Sequence, residues 1–156
     1  MAGARVAALK LLAARRLTES QLWQRLARRG YDDDAIAEAV ERCRRDGSLD
    51  DRLFATLFVD GRAKALGDAR LVGDLVKRGI DRDAARLSVR EAERSEDDRL
   101  AAAVEKVFRT RPGISYPSAA RALERLGFPT AGIYRALRAR SVDVAPFGDL
   151  TGLDHG

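Results

Sequence analysis

Few side chains in this sequence have the chemistry of a nucleophile, a general base or a soft metal ligand. The only histidine, His155, lies in a terminal segment without helical periodicity, where nothing would hold a general base in position. The only cysteine, Cys43, lies on an apolar helical face without a histidine partner, so we interpret it as a small buried hydrophobic residue. The sequence therefore predicts no catalytic residues and no enzyme activity.

Two groups of neighbouring carboxylates are further candidates for chemistry. Asp32, Asp33 and Asp34 are consecutive and point in different directions around a helix end, whereas an EF-hand loop needs alternating ligands. Asp50 and Asp51 could form an acid/base couple, but N-capping and the helix dipole explain adjacent carboxylates at a helix start more simply. The sequence also contains no Walker loop and no dinucleotide fingerprint. We therefore predict no metal site and no cofactor.

Arginine is the most informative residue type, because it supplies 25 of the 29 cations. Its planar guanidinium group binds carboxylate and phosphate equally well. The arginines form clusters, although a solvated surface remains an open interpretation for any single one. The candidate partner-binding residues are Arg25, Arg28, Arg29, Arg62, Arg70, Lys77 and Arg78, together with Asp50 and Asp51, which either cap a helix or meet a partner cation.

The composition is that of a protein made of surface-rich helices. Of the 156 residues, 34% are charged, 46% are hydrophobic and 6% are aromatic, and the net charge of +5 mildly favours polyanionic partners. A lone cysteine allows no internal disulfide, so we expect a cytoplasmic protein. Arg5 and Lys10 interrupt the apolar amino-terminal segment, which is too short to span a bilayer. We expect it to form the first helix, with a transit peptide as the less favoured alternative.

Helices are predicted by apolar residues at intervals of three and four, most clearly in the stretch from Leu49 to Ile80. Its first apolar stripe, which we expect to be buried, is followed by an interruption at Gly67, a second stripe and a stop at Gly79. The segments on either side follow the same order. The stripe residues are Leu53, Phe54, Leu57 and Phe58, then Leu71, Val72, Leu75 and Val76.

Three glycines define an internal repeat. Gly30, Gly79 and Gly127 lie 49 and 48 residues apart, and the positions around them agree in type. The sequence from Asp97 to Leu100 also echoes the sequence from Asp50 to Leu53 at a distance of 47 residues. This periodicity predicts an all-α fold of three tandem three-helix repeats that form a curved, elongated, solenoid-like body. The predicted segments are repeat 1 (1–47), repeat 2 (48–94), repeat 3 (95–140) and a flexible acidic tail (141–156).

The middle repeat has a characteristic set of residues in a fixed order and spacing. They are Leu49, Asp50, Asp51, Phe54, Ala55, Arg62, Gly67, Arg70, Leu71, Leu75, Arg78, Gly79 and Ile80. This set resembles the signature of the RecX family, the regulators of bacterial RecA recombinase. The opening repeat and the end of the third repeat resemble the same family, so the resemblance covers about Val6 to Arg140. The sequence departs from the family pattern at Leu126, where a cation is usual.

The resemblance implies a non-enzymatic negative regulator that lodges in the groove of a RecA–DNA filament. It implies inhibition of ATP hydrolysis, strand exchange and co-protease activity, and thus a role in DNA repair, recombination and the SOS response. We expect a monomer with weak DNA contact, no membrane and no small-molecule substrate. Structural roles in the middle repeat are expected for Phe54, Phe58, Gly67, Leu71, Leu75, Gly79 and Ile80.

Two other functions remain open at this point. The first is a basic helical DNA-binding regulator that acts independently of RecA, since three-helix units with a glycine turn also resemble helix-turn-helix DNA readers. Such readers usually have one recognition helix rather than three weak ones. The second is a helical enzyme, which would require a catalytic set that the sequence does not supply.

Overall fold

The structure is a computed structural model that describes residues 2–62 and 65–144. These residues form nine α-helices and no strand, which confirms the predicted all-α class. The helices are α1 (Ala2–Ala14), α2 (Glu19–Arg28), α3 (Asp33–Arg45), α4 (Asp51–Arg62), α5 (Asp68–Lys77), α6 (Arg82–Arg90), α7 (Glu96–Thr110), α8 (Tyr116–Arg125) and α9 (Thr130–Val144).

The last helix is longer than the sequence predicts. Helix α9 continues to Val144, past the predicted end of repeat 3 at Arg140, and the Ser141 side chain is buried. The expected loss of structure from Ser141 onward is therefore wrong for the first four residues of the predicted tail. The remainder, residues 145–156, lies outside the described residues.

The chain divides into two compact units. The first contains the residues up to Phe58 together with Asp74–Ser88, and the second contains Val59–Gly73 together with the residues from Val89 onward. The division passes through α4, α5 and α6. The three-repeat boundaries at 47/48 and 94/95 therefore stay a prediction, although each predicted repeat contains the starts of three helices.

The helices begin where the sequence supplies capping side chains. Thr18 and Gln21 form the predicted capping box: Thr18 Oγ1 accepts from the Gln21 N–H at 3.1 Å, and Gln21 Oε1 accepts from the Thr18 N–H at 3.0 Å. Asp32 caps α3 by accepting from the Ala35 N–H at 2.8 Å. The sequence predicts that the run from Asp32 to Asp34 caps this helix, and the structure confirms the capping role for Asp32.

Each unit has its own apolar core. In the first, Leu22 and Leu26 of α2 pack with Ile36, Val40 and Cys43 of α3, and all five are buried. Burial raises the pKa of the Cys43 thiol, which keeps it in the neutral form, and the predicted buried, inert character of this cysteine is consistent with that environment.

The second unit has its core between the last three helices. Leu100 and Val104 of α7 pack with Leu123 of α8 and with Ile133 and Leu137 of α9. Phe108 and Tyr116 meet edge to face at the rim, with ring centroids 5.4 Å apart.

Candidate macromolecule-binding surface

A junction between helix ends organises the first unit. The backbone N–H of Glu19, the first residue of α2, donates to Oδ1 of Asp51, the first residue of α4, at 2.8 Å. The Asp51 carboxylate therefore satisfies an amide that the helix itself leaves unpaired, and its negative charge lies where the dipole of α2 favours it.

The second unit contains the same junction. The backbone N–H of Asp68, the first residue of α5, donates to Oε2 of Glu96, the first residue of α7, at 2.6 Å. The contact thus pairs Asp51 with Glu96 as equivalents, whereas the 47-residue sequence echo pairs Asp51 with Asp98. At this junction the echo therefore predicts the wrong counterpart of Asp51 by two residues. In each unit the acceptor is instead the first residue of its helix.

A second hydrogen bond accompanies each junction. Thr18 Oγ1 donates to the carbonyl oxygen of Arg78 at 2.6 Å in the first unit. In the second unit the Gly67 N–H donates to the carbonyl oxygen of Leu126 at 2.8 Å. Both acceptors directly precede a turn glycine. Since only the backbone of Leu126 accepts, this contact does not depend on the leucine side chain.

Glycine is required at the junctions because the helices approach closely. Gly79 has φ +94°, and a Cβ there would lie 2.3 Å from the Cβ of Ser20. Gly127 has φ +93°, and a Cβ there would lie 2.4 Å from the Cβ of Arg70. At both positions the left-handed backbone conformation disfavours a side chain, and the neighbouring helix leaves no room for one.

The carboxylates Asp50 and Asp51 are used in local structure. Asp50 Oδ1 accepts from the Leu53 N–H at 3.0 Å, so Asp50 caps α4. Burial raises the pKa of the Asp51 carboxyl, an effect that the Glu19 N–H partly opposes. Within residues 2–62 and 65–144, no group of side chains has the arrangement of a metal site.

The candidate cations of the first unit differ in their surroundings. Arg28, Arg29 and Lys77 are exposed, and Arg25 is half-buried. Arg25 and Arg28 lie three residues apart in the last turn of α2, on neighbouring positions of one face. Arg78 is less available, because its guanidinium lies 4.6 Å from the ring centroid of Phe58 and Nη1 donates to the Asp74 carbonyl oxygen at 2.9 Å.

The two candidate cations of the second unit are also exposed. Arg70 Nη1 donates to the carbonyl oxygen of Arg125 at 3.1 Å, which caps the end of α8. Arg62 lies in the last turn of α4. Arg62 and Arg70 belong to the second unit and the other candidates belong to the first, so a single site formed by the whole set stays a prediction.

Sequence reasoning missed Arg99, whose side chain is only 2% exposed. Its guanidinium donates to the carbonyl oxygen of Leu66 at 2.7 Å and to Oδ1 of Asp68 at 2.5 Å, and Nε donates to the Arg94 carbonyl oxygen at 3.2 Å. Arg99 therefore fixes the start of α5. The only sequence signal was the correspondence of Arg99 with Arg52, 47 residues earlier, and this correspondence gives no indication of burial.

The apolar stripe of α4 does not lie where the sequence predicts. Leu53 and Leu57 are 40% and 44% exposed, whereas Ala55 and Val59 are each 1% exposed. The expectation of a buried Leu–Phe face is wrong for the two leucines, because α4 approaches its neighbours through small side chains. The predicted core residues Leu71, Leu75 and Ile80 are buried.

Together, the helices of the described residues and the recurring junction define an all-α protein built from repeated helical segments. Residues 4–43 match the family model described as RecX, first three-helix domain. The regulatory protein RecX of Halorhodospira halophila is 40% identical over 77 residues, which cover 49% of this chain and 48% of the relative. The regulatory protein RecX of Clostridium botulinum strain Alaska E43 is 30% identical over 109 residues, which cover 69% of this chain and 51% of the relative.

Solved structures share the fold. The crystal structure of RecX from Lactobacillus salivarius matches with a TM-score of 0.75 at 17% identity, over 92% of this chain and 96% of that one. A second crystal structure, of regulatory protein RecX, matches with a TM-score of 0.76 at 16% identity, over 88% of this chain and 72% of that one. The chain is thus similar to RecX proteins in sequence over about half of its length and in fold over most of its length. It spans about half the length of the curated relatives that it matches.

Proposed function

We propose that the chain is a negative regulator of RecA that binds in the groove of the RecA–DNA filament. Bound there, it inhibits ATP hydrolysis, strand exchange and co-protease activity, and so acts in DNA repair, recombination and SOS regulation. The observation that carries the proposal is the match of residues 4–43 to the first three-helix domain of RecX, within a chain that has the RecX fold. The role does not require catalysis, and we propose a monomer in the cytoplasm.

The last turn of α2 supports a contact with an acidic partner. Arg25 and Arg28 extend from the carbonyl end of the helix without a side-chain ion pair among the described residues. On α3, by contrast, Arg42 pairs with Glu38 at 3.6 Å and Arg45 pairs with Glu41 at 3.2 Å. The cations of α2 thus keep their charge uncompensated, which favours carboxylate or phosphate on a partner.

A binding assay with matched charge reversals tests the proposal. Arg25→Glu/Arg28→Glu changes the charge by the same amount as the control Arg42→Glu/Arg45→Glu, and both alter exposed or half-buried helix positions. We expect the α2 variant to lose tenfold or more in affinity for RecA filaments and the α3 variant to lose much less. Equal losses would show that net charge, rather than the end of α2, determines binding.

The second candidate function is a DNA-binding regulator that acts without RecA. It is favoured by the net charge of +5 and the large share of arginine. A pull-down with RecA after nuclease treatment separates the two functions. Retained binding supports the RecA regulator, and complete loss supports the DNA binder.

A further inference from the structure

The three glycine turns of the repeat are equivalent in the sequence but differ in what covers them. At Gly79 and at Gly127 the start of another helix packs against the turn, so a Cβ would lie 2.3 Å and 2.4 Å, respectively, from the nearest side-chain atom. Gly30 has the same left-handed backbone, with φ +91°, yet a Cβ there would meet no atom within 4 Å. Gly30 is therefore the one uncovered turn of the three within the part of the chain that the structure describes.

The carbonyl oxygen before each covered turn is also occupied. Arg78 accepts from Thr18 Oγ1 at 2.6 Å, and Leu126 accepts from a backbone N–H at 2.8 Å. The equivalent oxygen of Arg29 accepts no hydrogen bond from the described residues, and Arg29 is exposed. We call Arg29 and Gly30 the open turn. It offers the acceptor and the space that the start of a helix fills at the other two turns.

One helix start of the matching kind is uncovered as well. Ser115, the N-cap of α8, lies 97 residues after Thr18 and 48 residues after Gly67, which donate at the two covered turns. Thr18 and Gly67 are buried, whereas Ser115 is exposed. Its hydroxyl donates to Ser118 Oγ at 3.0 Å, and rotation of the hydroxyl redirects it to another acceptor. We call Ser115 and the first turn of α8 the open start.

Opposite charges lie beside the open turn and the open start. In the covered junction of the first unit, Gln24 and Asp81 line one cavity beside Gly79. Arg121 has the position of Gln24 in the third repeat, and Asp32 has the position of Asp81 in the first repeat. Both are exposed, and neither has an ion pair among the described residues. A contact like that of the covered junction would therefore bring a guanidinium to a carboxylate.

The two cations at the open turn do not prevent such a contact. Arg28 and Arg29 have the positions of Lys77 and Arg78, which directly precede the covered turn at Gly79. The Arg78 guanidinium donates to a carbonyl oxygen of its own helix at 2.9 Å, and Lys77 is exposed. A covered turn therefore accommodates both cations.

We propose that copies of this chain associate head to tail, with the open start of one copy covering the open turn of the next. Ser115 Oγ donates to the carbonyl oxygen of Arg29, α8 packs against Gly30, and Arg121 pairs with Asp32. The contact continues between copies the interface that joins successive repeats within the chain. The inference goes beyond the proposed function, because it concerns two copies of this chain and requires no RecA.

The strength and the symmetry of this association follow from the same comparison. The first turn of α1 contains no acidic residue, so nothing replaces the carboxylate that Asp51 and Glu96 supply at the covered junctions. The association is accordingly weak, and the chain is a monomer when dilute. Because one end binds the other, the contact does not close at two chains and further copies add to the series.

Sedimentation equilibrium of the full chain measures the association at concentrations from about 10 µM to about 1 mM. We expect the mean mass to begin at that of one chain and to rise past that of two chains. A mass that stays at one chain over this range overturns the proposal. A mass that levels off at two chains identifies a closed dimer and overturns the head-to-tail arrangement.

An asparagine at the open turn is the most specific variant. Gly30→Asn preserves the fold, because asparagine tolerates the left-handed conformation, and its side chain fills the space that the open start requires. Gly47→Asn is the matched control, since Gly47 has φ +82° and a Cβ there also meets no atom within 4 Å. We expect Gly30→Asn to weaken association at least tenfold with unchanged far-UV circular dichroism, and Gly47→Asn to associate like the wild type. Loss of association in both variants, or in neither, overturns the role of Gly30.

A mixture of two variants tests the direction of the contact. Arg121→Glu disables the open start and leaves the open turn intact, whereas Gly30→Asn does the reverse. Each variant alone should stay close to the mass of one chain, and an equimolar mixture should form pairs that stop at two chains. A mixture that associates no better than either variant overturns the proposal. These measurements contain no RecA, so the inference and the proposed function fail independently.

Discussion

Asp51 accepts a hydrogen bond from the backbone N–H of Glu19 at 2.8 Å, although 32 residues separate the two in the sequence. Glu96 and Asp68 repeat this relationship at 2.6 Å in the second unit. In both, the first residue of one helix satisfies the first amide of another. The recurrence shows that the internal repeat preserves a specific helix-end contact as well as apolar positions.

The acceptor role of Asp51 predicts a difference between two substitutions. Asp51→Ala leaves the Glu19 N–H without a protein acceptor, and we expect it to lower the free energy of unfolding by about 1–2 kcal/mol. Asp51→Asn keeps an oxygen at this position and should lose much less. Urea denaturation at pH 7 measures both, and equal losses would contradict the role of the hydrogen bond.

The pH dependence of Asp51 has a definite sign. Burial raises the pKa of its carboxyl above the ordinary value of 3.8, so the folded state holds the proton at a pH where the unfolded state has released it. The free energy of unfolding therefore falls as the pH rises from 3.8 to the raised pKa. Asp51→Asn lacks this fall, so its free energy of unfolding should increase relative to that of the wild type between pH 3 and pH 7. A decrease relative to the wild type over this range would show that burial is not the main cause of the pKa shift.

The close approach at Gly79 predicts a large effect of a single methyl group. Gly79→Ala should lower the free energy of unfolding by about 1–3 kcal/mol for the left-handed backbone, with a further loss from the contact with Ser20. Gly73 is the matched control, because it lies within α5 and a Cβ there meets no atom within 4 Å. Gly73→Ala should stabilise the protein by up to about 1 kcal/mol. Thermal denaturation compares the two variants, and similar Tm values would contradict the close approach of Gly79 to Ser20.

The burial of Arg99 predicts that it contributes more to stability than Arg52, its counterpart in the 47-residue echo. Arg99→Met leaves the Leu66 and Arg94 carbonyl oxygens without this donor and removes the ion pair with Asp68. We expect a loss of about 2–4 kcal/mol, because unsatisfied buried groups are costly. Arg52→Met should stay within about 0.5 kcal/mol, since Arg52 is exposed. Chemical denaturation of both variants is the measurement, and equal losses would contradict the assigned role.

The buried thiol of Cys43 predicts low reactivity in the folded protein. Its side chain is 0% exposed, and burial raises the pKa of the thiol. A thiol-specific reagent at pH 7 should therefore react only at the rate of unfolding and at full rate in denaturant. Fast reaction of the native protein would contradict the packing of α3.

Local chemistry made part of the fold predictable from the sequence. Thr18 with Gln21 and the aspartate Asp32 fulfil the capping roles that their residue types indicate, because a cap depends on neighbours in the chain. Gly79 was predicted as a helix stop for the same reason. The contact that excludes a Cβ there comes from the side chain of Ser20, and a local sequence pattern cannot predict a contact between residues so far apart in the chain.

Tertiary packing accounts for the predictions that failed. The periodicity of Leu53 and Leu57 matches a buried face, but the same spacing occurs on a helix that buries Ala55 and Val59 instead. Arg99 was missed because composition cannot distinguish a buried arginine from the many exposed ones. The candidate site was predicted only as a set of cations together with Asp50 and Asp51, since the grouping of these residues depends on how the helices pack.

The measurement that tests the proposed function most directly is the rate of DNA-dependent ATP hydrolysis by RecA with increasing amounts of this chain. We predict that the wild type lowers the rate in a saturable manner, that Arg42→Glu/Arg45→Glu inhibits nearly as well, and that Arg25→Glu/Arg28→Glu needs at least tenfold more protein. An unchanged hydrolysis rate at saturating wild-type protein, with RecA fully assembled on DNA, would contradict the assignment as a RecA regulator.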